Sequence, residues 1–199
     1  MLRKNVLLLA ALGLLAACEA APESEPQPSE PPLAGAAIGG DFTLTGEVGT
    51  PVSWNDFDGK YRTLYFGYTF CPDVCPDDTL RAMAGLKAFE QDNPELGSQI
   101  QPLFVSVDPQ RDTPEVLAEF TENFHPRLIG MTGTKEQIDA VTRSFAVAYS
   151  IEEPNEAGGY LVGHTNITYL FGPDGRPLAM LPTDKGPAAV AAELEKWVR

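Results

Sequence analysis

Two cysteines, Cys71 and Cys75, stand four residues apart between a predicted buried strand and a predicted helix. If the segment forms one helical turn, both sulfurs lie on the same face, with Cα atoms about 6 Å apart. That separation permits a disulfide, and it equally permits two thiolates to hold one soft metal ion. The positive end of the helix dipole is expected to lower the pKa of such thiols. Because so short a loop gains little stability from a crosslink, the pair predicts redox or metal chemistry.

A histidine bears on the choice between redox and metal chemistry. His164 lies on a predicted loop, where thiol–disulfide exchangers of the thioredoxin type carry a cis-proline facing their cysteines; this chain has Gly163-His164-Thr165 there. Two thiolates and one imidazole suit Cu(I), with further ligation possible for Cu(II). The same set would bind Zn²⁺ if a fourth ligand were added. The other histidine, His125, precedes a proline and is predicted to be a capping or surface residue.

The segments around these residues alternate between strand and helix. The predicted strands are 42–45, 51–54, 63–68, 103–107, 128–131, 165–171 and 177–181. Helices are predicted from Pro76 to about Asp92, after Thr113, after Thr134 and near the C-terminus. Their order predicts an α/β fold, a thioredoxin-like mixed sheet flanked by helices with an N-terminal β-hairpin extension. Between the second buried strand and its helix, Asp108, Arg111 and Asp112 are predicted to cap the helix and form a local ion pair.

The N-terminal region has the composition of a targeting signal followed by a tether. Residues 1–17 combine an early positive charge with a 12-residue Leu/Ala-rich run, which predicts a lipoprotein signal peptide, since the run is too short to span a bilayer. It ends in Leu-Ala-Ala-Cys, which resembles a bacterial lipoprotein cleavage signal and makes Cys18 the predicted lipidation site. Residues 18–40 are rich in Pro and Glu and predict an extended tether. Residues 41–199 then form the predicted domain.

Composition excludes one class of partner. The chain carries 14 Lys and Arg against 28 Asp and Glu, a net charge of −14 at pH 7. Binding to nucleic acid needs a basic face that displaces counterions from phosphates, so no nucleic-acid partner is expected.

Three ordered blocks of sequence resemble one known family. Residues 67–76 read Gly-Tyr-Thr-Phe-Cys-Pro-Asp-Val-Cys-Pro, residues 105–115 read Val-Ser-Val-Asp-Pro-Gln-Arg-Asp-Thr-Pro-Glu, and His164 precedes Tyr-Leu-Phe-Gly-Pro-Asp-Gly at 169–175. Together they resemble the Sco/SenC family of copper proteins from about Phe42 to the C-terminus. The resemblance implies a membrane-tethered protein that holds copper, as Cu(I) or Cu(II), through Cys71, Cys75 and His164. It also implies delivery of copper to the copper A site of cytochrome c oxidase subunit II, or reduction of that site's cysteines.

Two positions depart from the family's pattern. Gly163 stands where the family usually has Asp, and an acidic neighbour there would orient or charge-balance the imidazole. Phe70 stands where many members carry His, which removes a possible auxiliary donor.

We therefore expect a copper chaperone and not an enzyme, anchored by lipid on the periplasmic side of a bacterial membrane, the inner one being favoured. Other periplasmic copper chaperones are possible partners. The alternative is a thiol–disulfide oxidoreductase in which Cys71 and Cys75 form the redox-active disulfide. A peroxidase fits poorly, because that chemistry needs a single cysteine of low pKa with Arg and Thr nearby.

Overall fold

The computed structural model describes residues 30–72 and 74–199. Cys18, the signal peptide predicted at 1–17 and the tether residues up to 29 lie outside the described residues. Among the residues that are described, no helix combines the length and the apolarity needed to span a bilayer.

Within residues 30–72 and 74–199, nine strands form two sheets. Their bounds are β1 Thr43–Gly46, β2 Pro51–Ser53, β3 Tyr61–Gly67, β4 Ile100–Ser106, β5 Ile129–Thr132, β6 Tyr149–Ile151, β7 Val162–His164, β8 Thr168–Phe171 and β9 Pro177–Leu181. Seven of them make a mixed sheet in the order β2-β1-β5-β4-β3-β8-β9, in which β3, β4 and β5 are parallel and the other pairings are antiparallel. The strands β6 and β7 pair antiparallel as a separate hairpin. The mixed sheet and the N-terminal hairpin were both predicted.

In the described part of the chain, five α-helices accompany the sheet, namely α1 Val74–Asp92, α2 Pro94–Ser98, α3 Pro114–Thr121, α4 Lys135–Ser144 and α5 Pro187–Trp197. Thr113 and Thr134 accept hydrogen bonds from backbone N–H groups at the starts of α3 and α4, as predicted. The helix α1 begins at Val74, two residues before its predicted start at Pro76. Proline is tolerated there because the first turn of a helix makes no use of the missing N–H.

The core lies around the two central strands. Every residue of β3 and β4 is buried, which is expected of parallel strands covered on both faces. The helices α1 and α5 pack against each other. Gly85 makes this approach possible, because a Cβ there would lie 2.6 Å from side-chain atoms of Val190. The helix that carries Cys75 is therefore held firmly on the domain.

The tether prediction is wrong for residues 30–40. The backbone N of Leu33 donates to the carbonyl of Leu178 at 3.0 Å, and that of Gly39 donates to Ser144 at 2.9 Å. Leu33 and Ile38 also pack against the core. Apolar side chains within the Pro-rich stretch thus bind residues 30–40 to the domain predicted at 41–199.

Two further differences concern elements that the sequence did not predict. The short helix α2 continues the chain after α1. The β6–β7 hairpin, residues 149–164, includes His164 as the last residue of β7, whereas a loop was predicted there. Strand pairing therefore fixes the backbone of this histidine.

Candidate metal centre

The two cysteines lie at the junction between β3 and α1. Cys71 belongs to the segment 68–72 that follows β3, here called the cysteine segment, and it is half-buried. Cys75 is the second residue of α1 and is fully buried. The backbone N of Cys75 donates to Sγ of Cys71 at 3.3 Å. Both residues are thiols in the structure, so the disulfide predicted between them belongs to a different oxidation state and stays a prediction.

His164 meets Cys75 across the junction. The Sγ of Cys75 lies 3.0 Å from Nε2 of His164. The other ring nitrogen, Nδ1, lies 3.2 Å from the carbonyl oxygen of Thr165. Because a carbonyl only accepts hydrogen bonds, Nδ1 carries the ring proton, and the lone pair of Nε2 faces the sulfur. The imidazole is thus held in the tautomer that can coordinate a metal next to Cys75.

Burial keeps this pair neutral. It raises the pKa of the Cys75 thiol, and the hydrogen bond with Cys71 raises that pKa further. Burial also lowers the pKa of His164, although the hydrogen bond to Thr165 opposes the shift. The position of the cysteines at the start of a helix predicted a lowered pKa for both thiols. For Cys75 this prediction is wrong, because the loss of solvation outweighs the effect of the helix dipole. The proton of the Cys75 thiol therefore lies between its sulfur and Nε2 of His164.

Two tyrosines form the walls around the imidazole. The ring centroids of Tyr65 and Tyr68 each lie 6.0 Å from the centroid of the His164 ring, and both tyrosine rings are nearly perpendicular to the imidazole. The hydroxyl of Tyr68 accepts a hydrogen bond from the backbone N of Val162 at 3.3 Å. Both tyrosines are buried, so the inner side of the site is shielded from water.

Asp112 anchors the cysteine segment. Its carboxylate accepts hydrogen bonds from the backbone N of Thr69 at 3.0 Å, from the Thr69 hydroxyl at 2.7 Å and from the Ser106 hydroxyl at 2.5 Å. Burial raises the pKa of Asp112, while these hydrogen bonds act in the opposite direction. The helix-capping role predicted for Asp112 is therefore wrong. Asp112 instead links the residues before Cys71 to the end of β4.

Arg111 links the cysteine segment to the β6–β7 hairpin. Its guanidinium donates to the carbonyl of Tyr160 at 3.0 Å and lies 3.6 Å from the centroid of the Tyr160 ring and 5.1 Å from that of Phe70. It also forms the predicted ion pair with Asp108, and the Tyr160 hydroxyl donates to the same carboxylate at 2.8 Å. The hairpin that carries His164 is thereby held against the segment that carries Cys71.

The predicted ligands are close together without forming a finished metal cage. Among residues 30–72 and 74–199, no three His, Cys, Asp or Glu side chains already surround a common metal position. Cys75 and His164 are in contact, and Cys71 joins them through the backbone N of Cys75. Two sulfurs and one imidazole nitrogen are soft donors, and this chemistry fits a monovalent copper ion.

The two departures from the family pattern lie at the edge of the site. Gly163 is exposed, and neighbouring residues in a strand point to opposite faces, so a side chain there would face away from the imidazole of His164. Its Cβ would lie 3.3 Å from Oγ of Ser150. The ring proton of His164 is instead held by the carbonyl of Thr165. Phe70 is half exposed beside Cys71 and contributes no donor atom.

His125 is not at this site and is not a surface residue. It is buried, its Nδ1 accepts a hydrogen bond from the backbone N of Arg127 at 3.1 Å, and its Nε2 lies 3.2 Å from the Glu90 carboxylate. The capping or surface role predicted for it is wrong.

Sequence reasoning did not assign Tyr65 and Tyr68 to the site and gave Asp112 a different role. Tyr65 lies near the end of β3 and Tyr68 is the first residue of the cysteine segment, and this closeness to Cys71 in the sequence was the available signal. For Asp112 no local pattern distinguishes an anchor from a helix cap.

The family model for SCO1/SenC matches residues 30–199. The chain belongs to the SCO1/SenC family. Its match begins at the residues that pack onto the domain ahead of β1.

The SCO1/SenC chain is 43% identical over 158 residues to protein SenC of Rhodobacter capsulatus, covering 79% of this chain and 69% of SenC. It is 38% identical over 162 residues to the mitochondrial SCO1 homolog of Homo sapiens, covering 81% of this chain and 53% of the human protein. The chain therefore spans about half the length of the mitochondrial SCO1 relatives from human and mouse.

Solved structures agree with the family. The crystal structure of Arabidopsis thaliana ScoI with copper bound has a TM-score of 0.74 and 36% identity, and the match covers 80% of this chain and 97% of ScoI. The thioredoxin domain of a thiol-disulfide oxidoreductase from Bacteroides vulgatus has a TM-score of 0.56 at 20% identity, covering 81% of this chain and 96% of that domain. This second likeness concerns the fold alone. The predicted thioredoxin-like fold of the SCO1/SenC chain is confirmed.

Proposed function

We propose that this SCO1/SenC protein binds copper through Cys71, Cys75 and His164 and acts in the assembly of cytochrome c oxidase, the process in which the Sco family works. The observation that carries the proposal is the 3.0 Å contact between Sγ of Cys75 and the lone pair of His164 Nε2. The copper bound by ScoI of Arabidopsis thaliana supports the choice of metal. The partner would be the copper A site of subunit II, which receives copper or has its cysteines reduced.

The arrangement accounts for both loading and release. A copper ion that enters between Cys75 and His164 displaces the thiol proton, and a second proton leaves when Cys71 supplies its sulfur. Two thiolates and one imidazole satisfy Cu(I), which accepts three soft donors. Cys71 is the less buried of the two thiols, so an incoming ligand of the partner can replace it first. Cargo can then leave by stepwise ligand exchange.

A second function, reduction of a disulfide, is favoured by the partial exposure of Cys71 next to the buried Cys75. The thiolate of Cys71 attacks one sulfur of the target disulfide, and the other target sulfur leaves as a thiolate that takes up a proton. Cys75 then attacks the Cys71 sulfur, which frees the second target thiol. The target gains two electrons, and Cys71 and Cys75 end as a disulfide. This would make the protein a thiol–disulfide oxidoreductase in addition to, or in place of, a chaperone.

The proposed location follows from the N-terminal sequence. Lipid on Cys18 would anchor the mature chain on the periplasmic side of a bacterial membrane, the inner one being favoured. Residues 18–29 would then supply a tether shorter than the one predicted at residues 18–40, because residues 30–40 pack onto the domain. Other periplasmic copper chaperones would be the donors of the metal.

One variant decides between chaperone and exchanger. His164→Ala should keep the fold and the thiol pair but lose copper by more than the about 10- to 100-fold that removal of an outer-shell partner costs. With Cu(II), the wild-type chain should show an intense sulfur-to-copper absorption band that is shifted or lost in the variant. Cys71→Ser and Cys75→Ser should also lose stoichiometric copper, whereas Cys18→Ser is the control that changes a cysteine outside the site.

The same variant also tests the alternative. A protein that acts only on disulfides would keep its rate of exchange with a model disulfide in His164→Ala and would show no effect on copper. Copper binding by His164→Ala equal to that of the wild type would overturn the chaperone proposal in favour of the oxidoreductase.

A further inference from the structure

One buried hydroxyl near the proposed copper site lacks an obvious purpose. Tyr65 lies in β3 with 4% of its surface exposed, and among the described residues its Oη has no hydrogen-bond partner. Buried polar groups in folded proteins are almost always paired, since an unpaired one loses its bonds to water without replacement. An isosteric phenylalanine would avoid that loss. An acceptor for this hydroxyl is therefore missing in the state in which both cysteines are thiols.

Gly67 allows the ring to lie where it does. A Cβ on Gly67 would come within 2.7 Å of Cε1 of Tyr65, so a larger residue there would displace the ring. In this position the Tyr65 ring meets the imidazole of His164 edge-on at 6.0 Å between centroids. The Sγ of Cys75 lies 3.0 Å from Nε2 of the same imidazole. Tyr65 thus borders both Cys75 and His164.

The state of the Cys75 sulfur determines whether it can accept a hydrogen bond from this hydroxyl. In the thiol form the S–H group is directed at Nε2 of His164, and a neutral thiol sulfur is a weak acceptor. Coordination of copper removes the proton and leaves a negatively charged sulfur in a site with little water. Hydrogen bonds to charged acceptors are the strong ones, particularly in surroundings of low dielectric constant.

We infer that Tyr65 is a positioning residue of the copper centre, whose hydroxyl donates a hydrogen bond to the Cys75 sulfur once copper has replaced the thiol proton. The inference rests on the proposed copper-binding function. The unpaired hydroxyl lowers the stability of the protein without copper, and it gains a hydrogen-bond acceptor only in the protein with copper bound. The bond would also withdraw electron density from the sulfur, and hydrogen bonding around a cysteine ligand tunes the electronic properties of bound copper.

Tyr65→Phe tests this inference, because it removes only the hydroxyl. The empty protein should unfold at the same or a higher temperature, since an unpaired donor is lost. Copper affinity should fall by about ten- to a hundredfold, the value of a hydrogen bond to a charged group. In the Cu(II) form the sulfur-to-copper absorption band should move to lower energy, because the sulfur becomes a better electron donor.

Tyr61→Phe is the matched control in the same strand. The hydroxyl of Tyr61 is already paired, since it accepts from the backbone N of Arg199 at 3.0 Å and donates to the Arg199 carbonyl at 3.1 Å. Its removal should lower the stability of the empty protein and leave both copper affinity and the absorption band unchanged. The two variants should thus show opposite patterns.

The measurements distinguish failure of the copper-binding proposal from failure of the inference about Tyr65. If the wild-type chain shows no absorption band that depends on Cys75, the proposed copper function is wrong, and the role of Tyr65 is overturned with it. If the wild type shows the band and Tyr65→Phe has the same band and the same affinity, only the inference about Tyr65 is overturned. Loss of stability in empty Tyr65→Phe, with unchanged copper binding, would likewise assign the hydroxyl a merely structural role.

Discussion

Thr69 donates two hydrogen bonds to the carboxylate of Asp112, one from its backbone N and one from its hydroxyl. Thr69 stands two residues before Cys71, and Asp112 is fully buried between β4 and α3. Among the described residues, the carboxylate accepts a third hydrogen bond from the hydroxyl of Ser106. A group that accepts hydrogen bonds on both of its oxygens is therefore required at this position, and it fixes the start of the cysteine segment.

Asp112→Asn should disturb that anchor without changing its size. The amide replaces one accepting oxygen by an NH₂ group that faces donors, so at least one buried hydrogen bond is lost, at a cost of about 1–3 kcal/mol in the free energy of unfolding. Copper affinity should fall as well, because Cys71 is less firmly placed. Urea unfolding of the empty protein and a copper titration measure the two effects. Asp41→Asn, at an exposed position, is the control and should change neither.

Arg111→Lys should loosen the hairpin that carries His164. Lysine keeps the positive charge, but it cannot lie flat on the Tyr160 ring while it also bonds to the Tyr160 carbonyl and to Asp108. We expect faster amide hydrogen exchange in residues 149–164 and about tenfold weaker copper binding, the lower end of the usual effect of residues behind a ligand. Exchange rates equal to those of the wild type would show that β-strand pairing alone holds the hairpin.

The buried His125 should make the empty protein less stable in mild acid. Burial lowers its pKa despite the hydrogen bond with Glu90, and the positive charges of Arg127 and Lys87 act in the same direction as burial. The folded state then binds fewer protons than the unfolded state, so stability is lost as the pH falls below about 6.5, the pKa of an unperturbed histidine. Unfolding measured from pH 7.5 to 5.5 should show this slope, and His125→Gln should reduce it. His164→Ala should retain the part due to His125.

Cys18→Ser should release the protein from membranes into the soluble periplasmic fraction. The sequence predicts that the lipid on this cysteine is the anchor and that the residues after it contribute nothing to the core up to about residue 30. The temperature of unfolding should therefore stay the same. Fractionation of cells followed by detection of the protein measures the distribution, with Cys71→Ser as a cysteine control that stays on the membrane. Tight membrane association of Cys18→Ser would exclude lipid as the anchor.

Local patterns in the sequence were sufficient for most of the fold. The caps at Thr113 and Thr134 and the alternation of buried strands with helices were predicted correctly, because they depend on residues close together in the chain. The β6–β7 hairpin escaped prediction: its strands have only three residues each, and they are separated by a ten-residue stretch that carries no strand pattern. The packing of residues 30–40 escaped for a similar reason, since two apolar side chains decide it within a Pro-rich stretch.

The chemistry of the candidate site divides in the same way. The types and spacing of Cys71, Cys75 and His164 identified a set of soft donors from the sequence alone, because donor chemistry belongs to the side chain itself. The tertiary structure alone decided that Cys75 and His164 touch although they are 89 positions apart, and that the ring proton is on the far nitrogen. It also decided that burial outweighs the helix dipole at Cys75 and that, among the described residues, the buried hydroxyl of Tyr65 has no hydrogen-bond partner. Solvation and long-range contact depend on the packing of the whole domain, which no local segment of the sequence encodes.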